Sequence, residues 1–395
     1  MMYRLKSVSD SSNENDFKLF LVILLLASPA LSLIAMIGFP FFPNEKIALI
    51  IVLISASAWK SRFNELRLLG LLVAGIIMLL TVLQHVFGAS DVSVAAINTI
   101  LVLIVMPFYI SYLSHKLRLT ITYVFYIGII QLACSLIQQI AMFNGYDEVI
   151  TLFNNYPEQS TYTYPVGEMG FFFRTSGLFN ESSSYAVFQW LAIFCGTLLG
   201  CHKNKYLLAI MGLMVLEVLI NGSITGYVFA LLYMLFTSYR KYFFLAIPLI
   251  LFVLITISSS SDSSVDVLRI WLKIASQFDS LDNGYGSVTR LSGGVQSVID
   301  SLESSYMLIG SGLSWNSPTL DFISLYLRGF GLIGLVVLIP YIAIILSLGS
   351  LRYFTSACGV LMINGHLSTS INIILLSMAI VFFKYESYYL QKLSR

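Results

Sequence analysis

Most lysines and arginines of this chain cluster in short loops between apolar runs; Lys46, Arg174, Arg269, Lys273, Arg290 and Arg328 do not. Arg174 lies in FFFRTSGLFNESSSYAVF, just before a long apolar stretch, and Arg290 in GSVTRLSGGVQSVID. A guanidinium presents a planar fork of N–H donors that matches phosphate oxygens, so isolated arginines of this kind suit a phosphorylated ligand. The competing role is an ion pair with Glu168, Glu181 or Asp300. Arg328 sits about two turns inside the apolar run 320–348. There it either lines a polar cavity or snorkels to the membrane surface. Two carboxylates could act as general bases. Glu181 and Asp321 each stand where an apolar helix begins, and both positions equally suit a side chain that favours the positive helix N-terminus. Glu217, inside LMVLEVLINGS, is an intramembrane carboxylate with either a functional or a helix-pairing role.

The elements that must position these residues are apolar. Of 395 residues, 57% are hydrophobic and 11% charged, and mean hydropathy is +0.85. A soluble domain carries about 25% charged residues, so lipid is the solvent for much of this chain. Runs of spanning length predict helices at 17–39, 47–58, 66–87, 92–113, 119–143, 184–200, 206–220, 222–238, 242–257 and 320–348. The stretch 353–383 reads as two short helices folded at Asn364-Gly365-His366, or as one long tilted helix. The first run exceeds a signal-peptide core and has no small-residue cleavage site, which predicts a retained helix.

Alternate loops hold Lys60, Arg62 and Arg67; Lys116 and Arg118; Lys203 and Lys205; Arg240 and Lys241; and Arg352. Arg4 and Lys6 precede the first run, and Lys384, Lys392 and Arg395 follow the last. The positive-inside rule then places both termini in the cytoplasm, with about twelve spans. The expected fold is an all-α polytopic membrane protein. Five transmembrane helices occupy 1–143, a first outward loop 144–183, four helices 184–257, a second outward loop 258–319, and three helices with a cytoplasmic tail 320–395. Within the second loop, Val267, Ile270, Trp271, Ile274, Phe278 and Leu281 recur at helical spacing opposite Asp266, Arg269, Lys273 and Gln277. That segment lies on the outer membrane surface, or packs as a soluble helix on the loop.

Several functions are disfavoured. A net charge of +2 gives no electrostatic footprint for nucleic acid. Cys134, Cys195, Cys201 and Cys358 lie in or beside apolar runs without CxxC spacing, and read as packing residues. His85, His115, His202 and His366 do not cluster, so no metal site is expected, nor is a phosphate-binding glycine loop or dinucleotide fingerprint found. Internal repeats, expected of many transporters, are absent.

Several segments together resemble the O-antigen polymerase family and its relatives, the O-antigen ligases. RTSGLFNESSSYAVF (174–188) resembles the arginine–glycine–phenylalanine start of a family helix. NGSITGYV (221–228) resembles the Ser/Thr-Gly helix start, and Arg290, IGSGLSW (309–315) and FISLYLRGFGLIGLVVL (322–338) resemble the arginine, Gly-x-Gly and Gly-Ile-Gly elements that close the pattern. The match covers about 174–338. It departs from the family where Glu-Pro-Ser reads Glu181-Ser182-Ser183, and where ligases carry a histidine this chain has Asp321. An arginine-x10-glycine spacing is absent: Tyr185 and Ser301 stand eleven residues after Arg174 and Arg290.

The resemblance implies a GT-C-like, metal- and cofactor-independent glycosyltransferase of the bacterial inner membrane. It would join undecaprenyl-diphosphate-linked oligosaccharide repeat units on the periplasmic side, beside a chain-length regulator and a flippase. Arg174 and Arg290 would bind the diphosphates, with Arg269 or Arg328 in support, and Glu181 or Asp321 would be the base. The alternatives are an O-antigen ligase, a lipid-linked-oligosaccharide flippase and a secondary transporter.

Overall fold

In a computed structural model of the chain, the described residues are 11–29, 44–55, 59, 64–89, 93–144, 146, 175–179, 182–221, 224–235, 299–300, 302–313, 322–349, 351–363 and 370–393. Among them are the helices α1 (Ser11–Leu26), α2 (Asn44–Ile54), α3 (Asn64–Val86), α4 (Val94–Leu113), α5 (Leu117–Phe143), α6 (Ser182–Leu198), α7 (Lys205–Asn221), α8 (Ile224–Leu235), α9 (Phe322–Ser347), α10 (Leu351–Ile363) and α11 (Ser370–Leu393). No strand occurs among the described residues. Four helices are long and apolar enough to cross a membrane: Asn64–Val86, Val94–Leu113, Leu117–Ala141 and Phe322–Ser347. The chain is a helical, membrane-embedded protein.

Two helices form the centre. α6 packs on α5, α7 and α8, and α11 packs on α4, α5, α9 and α10. Their sequences explain the placement, since a helix apolar on every side has no polar face to turn outward. Residues 371–382 of α11 are buried without interruption, and Tyr185 to Gly196 of α6 likewise. α3 instead exposes Leu68, Leu71, Leu72, Met78, Leu79, Val82 and Val86, the lipid-facing surface that such a helix presents.

Two sequence expectations are corrected. The first helix does not run through 17–39. It begins in the polar lead and ends at Leu26, because Pro29 lacks an N–H and pushes the residue before it out of the helical conformation. The Ala27 carbonyl released there accepts a hydrogen bond from the Gln131 amide of α5. Nor is 320–348 one continuous helix. α9 is broken at Gly331, whose φ of 66° and ψ of −169° lie in a region open essentially to glycine alone. The two-helix reading of 353–383 holds, with α10 ending at Ile363 and α11 starting at Ser370. The expected helix 242–257, the amphipathic segment 262–281 and most of both long loops lie outside the described residues.

The bundle has two distinguishable ends. At one, Lys116 pairs with Asp16 and Lys384 donates to Ser114 (3.4 Å), joining the first helix, the α4–α5 turn and the last helix. At the other, Lys46 donates to Asn98 (2.8 Å), joining the starts of α2 and α4. In α4, Pro107 cannot donate to the Leu103 carbonyl one turn back. The Tyr341 hydroxyl of α9 does so instead, at 3.0 Å.

Candidate functional site

Two polar clusters lie toward the Lys46 end, and each contains a segment on which the family resemblance rests. The first begins in α5. Gln131, Ser135 and Gln138 are spaced four and three residues apart, which places them on one helix face. All three are buried. They hold the backbone of 175–179, the stretch directly after Arg174. The Gln138 side-chain oxygen accepts from Ser176 N (3.3 Å) and Gly177 N (3.0 Å), and its amide donates to the Gly177 carbonyl (2.8 Å). Gln131 accepts from Leu178 N at 2.8 Å. Gly177 has φ +56°, and a Cβ there would lie 2.5 Å from the Gln131 oxygen and 2.8 Å from the Tyr185 ring. Glycine is required by both the conformation and the crowding.

Glu217 of α7 closes this cluster. Its side chain is 5% exposed, about 18 Å along the helix from Lys205. A carboxylate this deep is costly unless hydrogen-bonded, and hydroxyls from three elements supply the bonds. Thr175 donates to Oε1 at 3.0 Å, Ser135 of α5 donates to the same oxygen, and Tyr185 of α6 donates to Oε2. Ser135 and Thr175 are themselves 2.6 Å apart. Gln189 extends the network, donating to the Tyr185 hydroxyl (3.1 Å) and the Gly128 carbonyl (3.0 Å). Of the two roles open to Glu217 from the sequence, helix pairing is the one these contacts display.

The second cluster surrounds the break in α9. Residues 307–312 fold back along it: Ser311 N donates to Arg328 O (2.8 Å), Gly312 N to Gly329 O (3.2 Å), Leu332 N to Met307 O (3.0 Å) and Ile333 N to Leu308 O (3.2 Å). Gly310 (φ +79°) and Gly331 touch so closely that a Cβ on Gly310 would meet Gly331 N at 2.5 Å. The Gln84 amide of α3 donates to the carbonyls of Ile309 and, at 2.6 Å, Gly329. The break therefore leaves these backbone groups satisfied within the protein, as irregular backbone at membrane depth requires.

The quoted segments thus meet in pairs. The Gly-x-Gly of 310–312 packs on the Gly-Leu-Ile-Gly of 331–334. Gly226, in the Ser/Thr-Gly helix start, packs against Ala186 of α6, to which a Cβ at 226 would approach within 2.7 Å. Small residues here let helices approach closely.

Of the residues singled out from the sequence, Arg328 is described, with an exposed side chain three residues before the break. Arg174, Glu181, Arg269, Arg290 and Asp321 lie outside the described residues. α6 begins at Ser182 and α9 at Phe322, directly after Glu181 and Asp321. Sequence reasoning missed Gln84, Gln131, Ser135 and Gln138. The signal for the three residues of α5 was a polar stripe at helical spacing in an otherwise apolar run, whereas Gln84 lies in α3, outside that stripe.

No family model matches the chain, and no curated protein matches it.

Proposed function

We propose that the chain is an O-antigen polymerase of the bacterial inner membrane, joining undecaprenyl-diphosphate-linked oligosaccharide repeat units on the non-cytoplasmic side. An acceptor sugar hydroxyl attacks the anomeric carbon of the donor glycan, the bond to the diphosphate breaks, and undecaprenyl diphosphate leaves. Glu181 or Asp321 takes the hydroxyl proton. Arg174 and Arg290 neutralise the departing diphosphate, with Arg269 or Arg328 beside them.

The observation that carries this reading is the fixing of 175–179. Its N–H groups at Ser176, Gly177 and Leu178 are all taken by glutamines of α5, as those of Ser311 and Gly312 are by α9. Neither segment has these main-chain donors left to cradle a phosphate. Phosphate recognition then falls to side chains, and Arg174 stands at the edge of the anchored stretch. The pairwise packing of the resembling segments supports the same reading. A secondary transporter would use backbone groups freed at a helix break to bind its substrate or ion; the hydrogen bonds around Gly331 already occupy those described. A ligase would share the donor and use lipid A-core as acceptor, and Asp321 in place of a histidine disfavours it.

The test is elongation of a defined lipid-linked repeat unit by the purified protein. Arg174→Ala and Arg290→Ala should each lower the rate at least about a hundredfold, the scale of losing a preorganised charge stabiliser. Full activity in both variants would sink the arginine assignment. In a deletion strain, single-repeat caps indicate a lost polymerase and absent O-chains a lost ligase or flippase.

A further inference from the structure

We propose that Arg328 holds the phosphate of an anionic phospholipid at the Lys46 end of the bundle. The inference goes beyond the polymerase reading and does not rest on it. Of the two arginines named there as support for the diphosphates, it leaves that part to Arg269.

The first half of α9, Phe322 to Phe330, is buried almost throughout; Arg328 is the exposed residue in it, and Ile323 is half-buried. Among the described residues no carboxylate pairs with Arg328, although Asp300 and Glu303 lie shortly before the strap 307–312 that is bonded to its backbone. That backbone is fixed on two sides. Ser311 N and Oγ both donate to the Arg328 carbonyl, at 2.8 and 3.3 Å, and the Gln84 amide donates to the carbonyl of Gly329 at 2.6 Å. A cation presented outward from a rigid, enclosed turn calls for an anion from outside the protein.

Its depth follows from Gln84. α3 has 23 residues, or about 34 Å of helix, close to the roughly 30 Å of a bilayer's hydrocarbon layer. Gln84 stands two residues before the end of α3 and bonds the residue next to Arg328. Arg328 therefore lies at the level where the apolar span ends and lipid phosphates begin. Past the break, α9 exposes Leu332, Ile333, Val336 and Ile339, the apolar surface that faces acyl chains. A cation at headgroup level beside such a surface complements a lipid whose phosphate takes the fork of the guanidinium. A departing diphosphate would gain most from an enclosed, water-poor site, and the exposure of Arg328 favours a resident phospholipid instead.

The experiment places the full-length protein in nanodiscs containing photoactivatable phosphatidylglycerol and maps the attachment by peptide mass. Labelling of 322–339 is expected in the wild type. Arg328→Gln should lower it about fivefold, the scale of one basic residue near anionic lipid, with labelling elsewhere unchanged. Arg328→Lys keeps the charge but not the fork and should fall between the two. Unlabelled phosphatidylglycerol should compete, and phosphatidylcholine should not.

Wild-type labelling of 322–339 in Arg328→Gln overturns the proposal, as does equal competition by phosphatidylcholine. Undecaprenyl phosphate that competes more strongly than phosphatidylglycerol also overturns it, and returns Arg328 to the diphosphate site. The polymerase reading stands or falls on elongation, so the two fail separately.

Discussion

Replacing Gly331 by alanine tests whether the break in α9 is built into the chain. Alanine at φ 66° and ψ −169° occupies a region that costs a non-glycine residue about 1–3 kcal/mol. The added Cβ would lie 2.4 Å from both the carbonyl carbon and the oxygen of Leu308, and 2.5 Å from Gly310 N. These are backbone atoms, so no side chain can swing aside. Ordinary contact requires about 1 Å more, and moving 307–312 that far strains the four hydrogen bonds it makes to 328–333. At about 1 kcal/mol for each bond, the total reaches the order of 5 kcal/mol, comparable with the whole stability of many proteins. The assay is thermal unfolding of the full-length protein in detergent, followed by size-exclusion recovery. Gly331→Ala should recover poorly and melt well below wild type. Gly75→Ala is the control: it lies in mid-α3 with open space around it, and alanine there should stabilise by up to about 1 kcal/mol. A Gly331→Ala protein that melts with the wild type would refute the geometry from which the penalty is built.

Further outcomes follow from other contacts. Tyr341→Phe should destabilise by about 1 kcal/mol by leaving the Leu103 carbonyl without its donor, and the loss should shrink when Pro107→Ala restores the helix's own N–H, as a double-mutant cycle in thermal unfolding would show. Gln138→Leu removes three hydrogen bonds to 176–177; a loss of about 3 kcal/mol is expected, together with faster thiol labelling of a Ser176→Cys probe. In a cysteine-free background, a membrane-impermeant maleimide added from outside should label Lys46→Cys, whereas Lys116→Cys should require permeabilised cells; the reverse would invert the proposed orientation.

The sequence was most informative where the physics is local. Apolar length and flanking charge put the starts and ends of α3, α4, α5, α6 and α7 within about two residues of those observed, and the breaker Asn-Gly-His of the sequence falls between the end of α10 at Ile363 and the start of α11 at Ser370. The end of α1 was misread because hydropathy stays high across Ala27-Ser28-Pro29, where one proline outweighs the average. The break in α9 was hidden for a different reason. A glycine in an apolar run is compatible with a continuous helix, and what opens it is a segment some twenty residues upstream together with Gln84, far earlier still. The same limit applies to the site. Glu217 stands out as a charge in lipid, but its partners Ser135, Thr175 and Tyr185 come from three separate stretches, and no periodicity links them.

The stripe of Gln131, Ser135 and Gln138 also bears on how the protein is made. Its partners at 175–178 and Glu217 follow it in the chain, whereas Ala27, the other partner of Gln131, precedes it. At roughly 5–20 residues per second of synthesis, α5 is complete for several seconds before the backbone that will engage its amides exists. Lipid offers those groups no hydrogen bonds. α5 should therefore linger beside the insertion machinery until α6 and α7 arrive, so that the three helices enter the bilayer as one unit.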